Sequence, residues 1–192
     1  MDLHHISLWQ IELFPWYAFL IVWCVSAVWV KKTKTTESIQ SRLAYGVPMV
    51  AGCYLIFAHS MPSQLLSARF VPSFRSIQIA AIMVTCLGTA LCIWARFILG
   101  ENWSARVTRK VGHELVRTGP YAYVRHPIYT GLTLAMLGTA TFVGEWRALL
   151  GVGIAVTGEI LKARREEQFM IAEFGATYEQ YRGSTGFLLP RF

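Results

Sequence analysis

"IQIAAIMVTCLGTALCIWARFIL", residues 77–99, carries a single charged residue, Arg96. At about 1.5 Å per residue, a helix of that length crosses the roughly 30 Å of hydrocarbon in a bilayer. Gly88, with Thr85 and Thr89, offers a small face for helix contact, and Arg96 lies near enough to the end to snorkel. The whole chain has the same character, with 54% hydrophobic and 15% charged residues in 192. That is wrong for an ordinary soluble domain.

Four further apolar runs follow the same reading: Phe14 to Val30, Leu43 to about Ser60, Ile128 to Val143, and Ala148 to Leu161. The opening "MDLHHISLWQIELF" holds Asp2 and Glu12 and lacks a basic leader, so the first span is expected to be retained. Pro15 suits a first helical turn, and Trp16 and Tyr17 an interfacial belt. Gly46, Pro48 and Gly52 predict a kink or close contact in the second span. The last two runs are shorter and joined by "GEWR", 144–147, which reads as a helical hairpin with Trp146 and Arg147 anchoring its tip. The expectation is an all-α integral membrane protein of about five transmembrane helices. It forms one membrane domain over 1–192, with three spans in 1–99 and a loop, hairpin and tail in 100–192.

The net charge of +7 is explained by topology. With the amino terminus outside, the inner segments hold Lys31, Lys32, Lys34, Arg42, Arg106, Arg109, Lys110, Arg117, Arg125, Lys162, Arg164, Arg165, Arg182 and Arg191. The outer ones hold Arg69, Arg75 and Arg147, a strong positive-inside bias. Nucleic acid need not be invoked. Cys24, Cys53, Cys86 and Cys92 all fall in apolar runs without metal-ligand spacing, and read as small buried hydrophobes.

"GPYAYVRHPIYTG", 119–131, puts polar groups where the fourth span begins. Proline disfavours helix in the residue before it and favours the first helical position, so Arg125–His126 is a bend feeding a helix start. The free amides there suit an anion. Arg125 and Tyr123 alone read as interfacial anchors, while His126 and Tyr129 read equally as anchors or as functional groups. In "EILKARREEQF", Lys162 and Glu166 share a helix face, and Arg164, Arg165 and Glu167 suit a solvated cap. Glu159 faces the bundle or pairs with an arginine. Phe169, Met170, Phe174, Tyr178 and Tyr181 form a stripe that reads as an interfacial amphipathic helix or a lid, broken at Gly175.

"NWS", "GHELVRTGPYAYVRHPIYTG", "REEQFMIAEFGATYEQY" and "TGFLLP" together resemble the isoprenylcysteine carboxyl methyltransferases and their prokaryotic relatives, over residues 102–190. The resemblance implies an integral membrane methyltransferase that uses S-adenosyl-L-methionine in a cytoplasmic site and takes a lipid-like acceptor from the bilayer. The implied cofactor contacts are His113, Glu114, Leu115, Val116, Tyr121, His126, Pro127, Ile128, Tyr129 and Glu166. The family's substrate-contacting arginine corresponds to Lys162, a departure, with Arg165 or Arg164 as substitutes. His126 and Glu159 are the candidate bases if the acceptor is an amine or thiol. An isoprenylcysteine carboxylate is the first expectation. The alternatives are a phospholipid amine, an NADPH-dependent reduction, or a non-catalytic assembly role.

Overall fold

Ser7 accepts from the Gln10 amide while the Gln10 side chain accepts from the Ser7 amide, and this capping box starts the first helix. The computed structural model describes residues 7–27, 33–59, 61–103, 108–110 and 114–191; His113, Lys31, Lys32 and Arg106 lie outside them. Helix α1 spans Leu8–Ser26, so Pro15 is inside it rather than in its first turn. The cap is the reason: it begins the helix well before the apolar run that marked the expected start. Helix α2 (Ile39–Phe57) likewise keeps Pro48 inside. A short helix α3 (Gln64–Ser67) precedes α4 (Arg75–Leu99). Pro127 opens α5 (Pro127–Val143), and α6 runs from Trp146 to Phe174 without a break at the charged run. Gly175, at φ 52°, ends α6 and turns the chain into α7 (Ala176–Ser184).

Among the described residues, the fold is helical apart from one short ribbon that the sequence reading did not anticipate. Strand β1 (Thr33–Thr36) pairs antiparallel with β2 (Thr108–Lys110), joining the segment before α2 to the one after α4. Among the described residues, two helical segments, Leu8–Ser26 and Arg75–Asn102, are long and apolar enough to cross a membrane. Large apolar side chains such as Ile21, Val50 and Leu87 point outward.

Small residues decide which helices meet. A Cβ at Gly88 would lie 2.4 Å from the Ala135 nitrogen and 2.5 Å from the Gly131 carbonyl, so α4 and α5 touch backbone to backbone. Helices α2 and α6 meet the same way at Gly52 and Gly151. Helix α1 packs on α4 through a buried polar knot. The Thr85 and Thr139 hydroxyls donate to Glu12 Oε1 at 2.8 and 2.6 Å, and the Trp16 indole donates to Thr139 at 2.9 Å.

Two arginines depart from expectation. Arg96 does not snorkel: it is buried, donating to the carbonyls of Ser26 (2.6 Å) and Gly100 (2.7 Å) and lying over the Trp103 ring. Those carbonyls and that ring take the place of water around the charge. Arg147 is no tip anchor either. It turns inward to Glu145 and to the Leu55 carbonyl exposed at the end of α2, while Trp146 stays outside. Of the cysteines, Cys92 alone is buried; Cys24, Cys53 and Cys86 are exposed on helix faces.

The glycine contacts give a direct test. Gly88→Ala is expected to lower the thermal midpoint in detergent by several degrees, because overpacking costs about 1–3 kcal/mol. Gly46→Ala, where nothing lies within 4 Å, should leave it unchanged. Equal midpoints for both variants would show that α4 and α5 do not meet at Gly88.

Candidate functional site

Helix α1 packs on α4 and α2 packs on α6, and between the two pairs lies a cavity of about 640 Å³. Trp16 and Phe57 meet edge-on across it, 5.5 Å between ring centres. One end is apolar, with Leu13, Tyr17 and Leu20 of α1 opposite Met49 and Cys53 of α2. The other is polar, with Asn102, Glu114, His126, Lys162 and Glu166. Trp23, Trp103 and Tyr121 stand between them, and Trp103 meets Trp23 edge-on at 5.2 Å.

The polar end is built at the start of α5. Pro127 fixes the first turn, and His126 before it adopts a non-helical conformation without a side-chain cap. Its imidazole therefore lies between two carboxylates of α6: Nδ1 is 3.6 Å from Glu166 and Nε2 is 3.4 Å from Glu167. Tyr129 donates to Glu166 at 2.6 Å, and Arg125 donates to Glu167 at 2.6 Å. Arg125 also donates to the carbonyls of Arg182 and Thr185. The result is a chain of alternating charge from the tail to the cavity wall.

These contacts set the protonation states. Burial opposes a charge on His126, but the bonds and charges of Glu166 and Glu167 outweigh it and raise the imidazole above its ordinary range. Burial also works against Glu167, yet His126 and Arg125 bring its carboxyl down to about 2. Glu166 is lowered too, with His126, Lys162 and Tyr129 overcoming its burial.

The tail closes the site. Residues 185–190 run beside 123–126, with the Arg125 amide donating to the Gly186 carbonyl at 2.9 Å and the Gly186 amide to Tyr123 at 3.0 Å. Thr130 donates to the Leu188 carbonyl at 2.6 Å, and Tyr181 to the Tyr121 carbonyl at 2.7 Å. Tyr178 and Tyr181 are buried and line the cavity with Phe169 and Met170, so this stripe faces the site rather than a membrane surface.

Most of the residues expected at the site are brought together. Glu114, Leu115, Val116, Tyr121, His126, Ile128, Tyr129, Lys162 and Glu166 all line the cavity, while Pro127 is buried behind it. Arg165 is not there. It sits on the neighbouring face of α6, exposed and bonded to Gln168, because the face four residues apart belongs to Lys162 and Glu166. Arg164 is exposed as well. Glu159 is buried toward α5, accepting from Thr133 at 2.7 Å, and does not reach the cavity lining. Sequence reasoning missed Arg125 and Glu167 as site members. Charge alone made them surface groups; the clue was that a tail motif had to pack somewhere. It also missed Trp23, which carries no local signal, and did not assign a role to Asn102 of "NWS".

Residues 80–172 match the model of the isoprenylcysteine carboxyl methyltransferase family. The chain is 34% identical over 152 residues to the protein-S-isoprenylcysteine O-methyltransferase of Schizosaccharomyces pombe, covering 72% of this chain and 64% of that one. It is 29% identical over 121 residues to the Homo sapiens protein of the same name, covering 59% and 42%. Over 72 residues it is 42% identical to methanethiol S-methyltransferase 2 of Bradyrhizobium diazoefficiens, covering 37% and 27%. The chain thus spans less than two thirds of the length of these relatives. Over residues 80–172, which contain both the α5 start and the glutamates of α6, the chain is similar to the isoprenylcysteine carboxyl methyltransferase family.

Proposed function

We propose that this protein is a membrane methyltransferase that uses S-adenosyl-L-methionine and methylates the carboxylate of an isoprenylcysteine-type acceptor. The observation that carries this is one continuous cavity with a charged end and an apolar end. The charged end fits the cofactor's groups. Glu166 and Glu114 suit an ammonium or ribose hydroxyls, and the first-turn amides of α5, which lack intrahelical acceptors, suit a carboxylate. Trp103, Tyr121, Leu115, Val116 and Ile128 suit a flat base. When bound, the cofactor supplies an electrophilic methyl on a sulfonium, which an acceptor oxygen takes while the sulfur–carbon bonding pair stays on sulfur.

The acceptor's prenyl chain would lie between α1 and α2, entering from the bilayer. Five crossings by α1, α2, α4, α5 and the first half of α6 suit the outward apolar faces and leave the charged end of the cavity on the cytoplasmic side. The proteins of Schizosaccharomyces pombe and Homo sapiens, by their names, act on isoprenylcysteine. A carboxylate is already ionised near pH 7 and needs no base, whereas a thiol near its pKa of ~8.5 or an ammonium does. His126 is held on both ring nitrogens by glutamates and is poorly suited to take a proton. This favours the carboxylate over the amine acceptor. The Bradyrhizobium relative supports a thiol as the second reading. Catalysis then rests on alignment and on excluding water, with the tail as cover.

Two measurements test this. Purified protein should bind S-adenosyl-L-methionine saturably and NADPH not at all. Glu166→Gln should weaken that binding by roughly 10- to 100-fold, since losing a charge-assisted hydrogen bond costs about 1.5–3 kcal/mol. In labelled methyl transfer, base-labile product on S-farnesyl-cysteine supports the ester. Product only on phosphatidylethanolamine or a small thiol contradicts it.

A pH series tests the charged end of the site. His126 has a raised value, so its stabilisation is complete below about 6.5 and fades as pH rises through the folded-state value. Glu167 has a lowered one, so its share is complete above about 4.5 and fades as pH falls toward about 2. The thermal midpoint should therefore decline as pH rises above 6.5 in the wild type and much less in His126→Gln. The same decline in both proteins would show that His126 is not held by the two glutamates.

A further inference from the structure

Lys162 stands at the cavity wall where the charged end meets the apolar one. Its ammonium lies 5.7 Å from the centre of the Tyr45 ring and 5.7 Å from that of Tyr129, both inside the roughly 6 Å reach of a cation–π contact. Each ring is fixed by a carboxylate. Tyr129 donates to Glu166 at 2.6 Å, and Tyr45 donates to Glu37, which also accepts from Ser41 at 2.8 Å. Glu37 and Tyr45 are both buried, and neither lines the cavity.

The helix contacts explain how Tyr45 gets there. A Cβ at Gly158 would come 2.6 Å from the Tyr45 carbonyl, so the α2 backbone lies against α6 one turn before Lys162. Glu37 follows directly on β1, and the Ser38 hydroxyl caps α2. The anchor of Tyr45 is therefore set by the segment linking the ribbon to α2.

We infer that Glu37 and Tyr45 are positioning residues that hold Lys162 as the cation reading the acceptor's carboxylate. This rests on the carboxylate reading above. Lysine presents a point charge on a flexible stem and cannot grip a carboxylate in two places, so its direction has to come from its surroundings. Two pinned rings on opposite helices supply that direction. Glu37 acts through Tyr45, and Tyr45 acts through Lys162, so neither touches the substrate.

The test compares binding of N-acetyl-S-farnesyl-cysteine with binding of its methyl ester, by competition on full-length protein in detergent. The wild type should prefer the acid, and Lys162→Met should lose that preference. Tyr45→Phe and Glu37→Gln should each reduce the preference about threefold, and Tyr45→Leu about tenfold, as expected for loosening and then removing a cation–π partner. The Tyr45→Phe/Glu37→Gln double variant should be no worse than either single one, because both cut one bond. Affinity for S-adenosyl-L-methionine should stay unchanged in Tyr45→Phe and Glu37→Gln. The nearly isosteric Tyr45→Phe and Glu37→Gln carry the test if Tyr45→Leu fails to fold. If Lys162→Met abolishes the preference while those two retain all of it, the positioning role is overturned and the carboxylate reading stands. If the wild type does not distinguish acid from ester, the carboxylate reading falls and this inference falls with it.

Discussion

A charge withdrawn from water has to face another charge or a strong dipole, and this constraint shapes the functional half of the molecule. Arg125, Glu167, His126 and Glu166 alternate in sign, with Tyr129 and Lys162 at the cavity end. Removing any inner member takes from each neighbour one of its partners. The start of α5, the middle of α6 and the tail are thereby locked into one relative position. The cavity's charged wall is the surface of that lock.

The apolar half follows a different rule. Hydrophobicity does not choose between helices when nearly every face is apolar, so close approach of backbones decides. Gly88 and Gly131 bring α4 to α5, and Gly52 and Gly151 bring α2 to α6. Helix α1 is held on α4 and α5 by polar contacts, the knot around Glu12 and the Arg96 bond to the Ser26 carbonyl, rather than by glycine. Side chains that pair α1 with α2 are bulky aromatics, Trp16 and Phe57, and bulk keeps backbones apart. The hollow is what those two packing modes leave behind.

Much of this was written locally and could be read from the sequence. Pro127 announces a helix start, Lys162 and Glu166 announce a shared face, and Gly175 announces a break. These rest on one-turn geometry, which sequence spacing encodes. What was not legible depended on distant partners. Arg96 and Arg147 looked like interfacial anchors because their acceptors are backbone carbonyls, which have no residue signature. Arg165 looked equivalent to Lys162 because both are basic, and only the helix register separates them. The ribbon of β1 and β2 is too short to show a pattern, and the tail's pairing with residues 123–126 depends on a contact some sixty positions away.

The two ends of the cavity ask for opposite things. An apolar slot gains by excluding water, while a charged pocket loses its solvation by the same act. The junction must therefore hold a cation that remains content when dry, and Lys162 between two tyrosine faces meets that condition with the quadrupoles of the rings replacing water. A guanidinium would have brought its own rigid geometry; an ammonium takes the geometry of its cage. Under the proposed reading, selectivity for an acidic acceptor is a property of α2 and α5 as much as of the residue on α6 that carries the charge. Changes behind the wall, at Tyr45 or Glu37, become a route by which such a site is tuned without altering any group that touches the reactants.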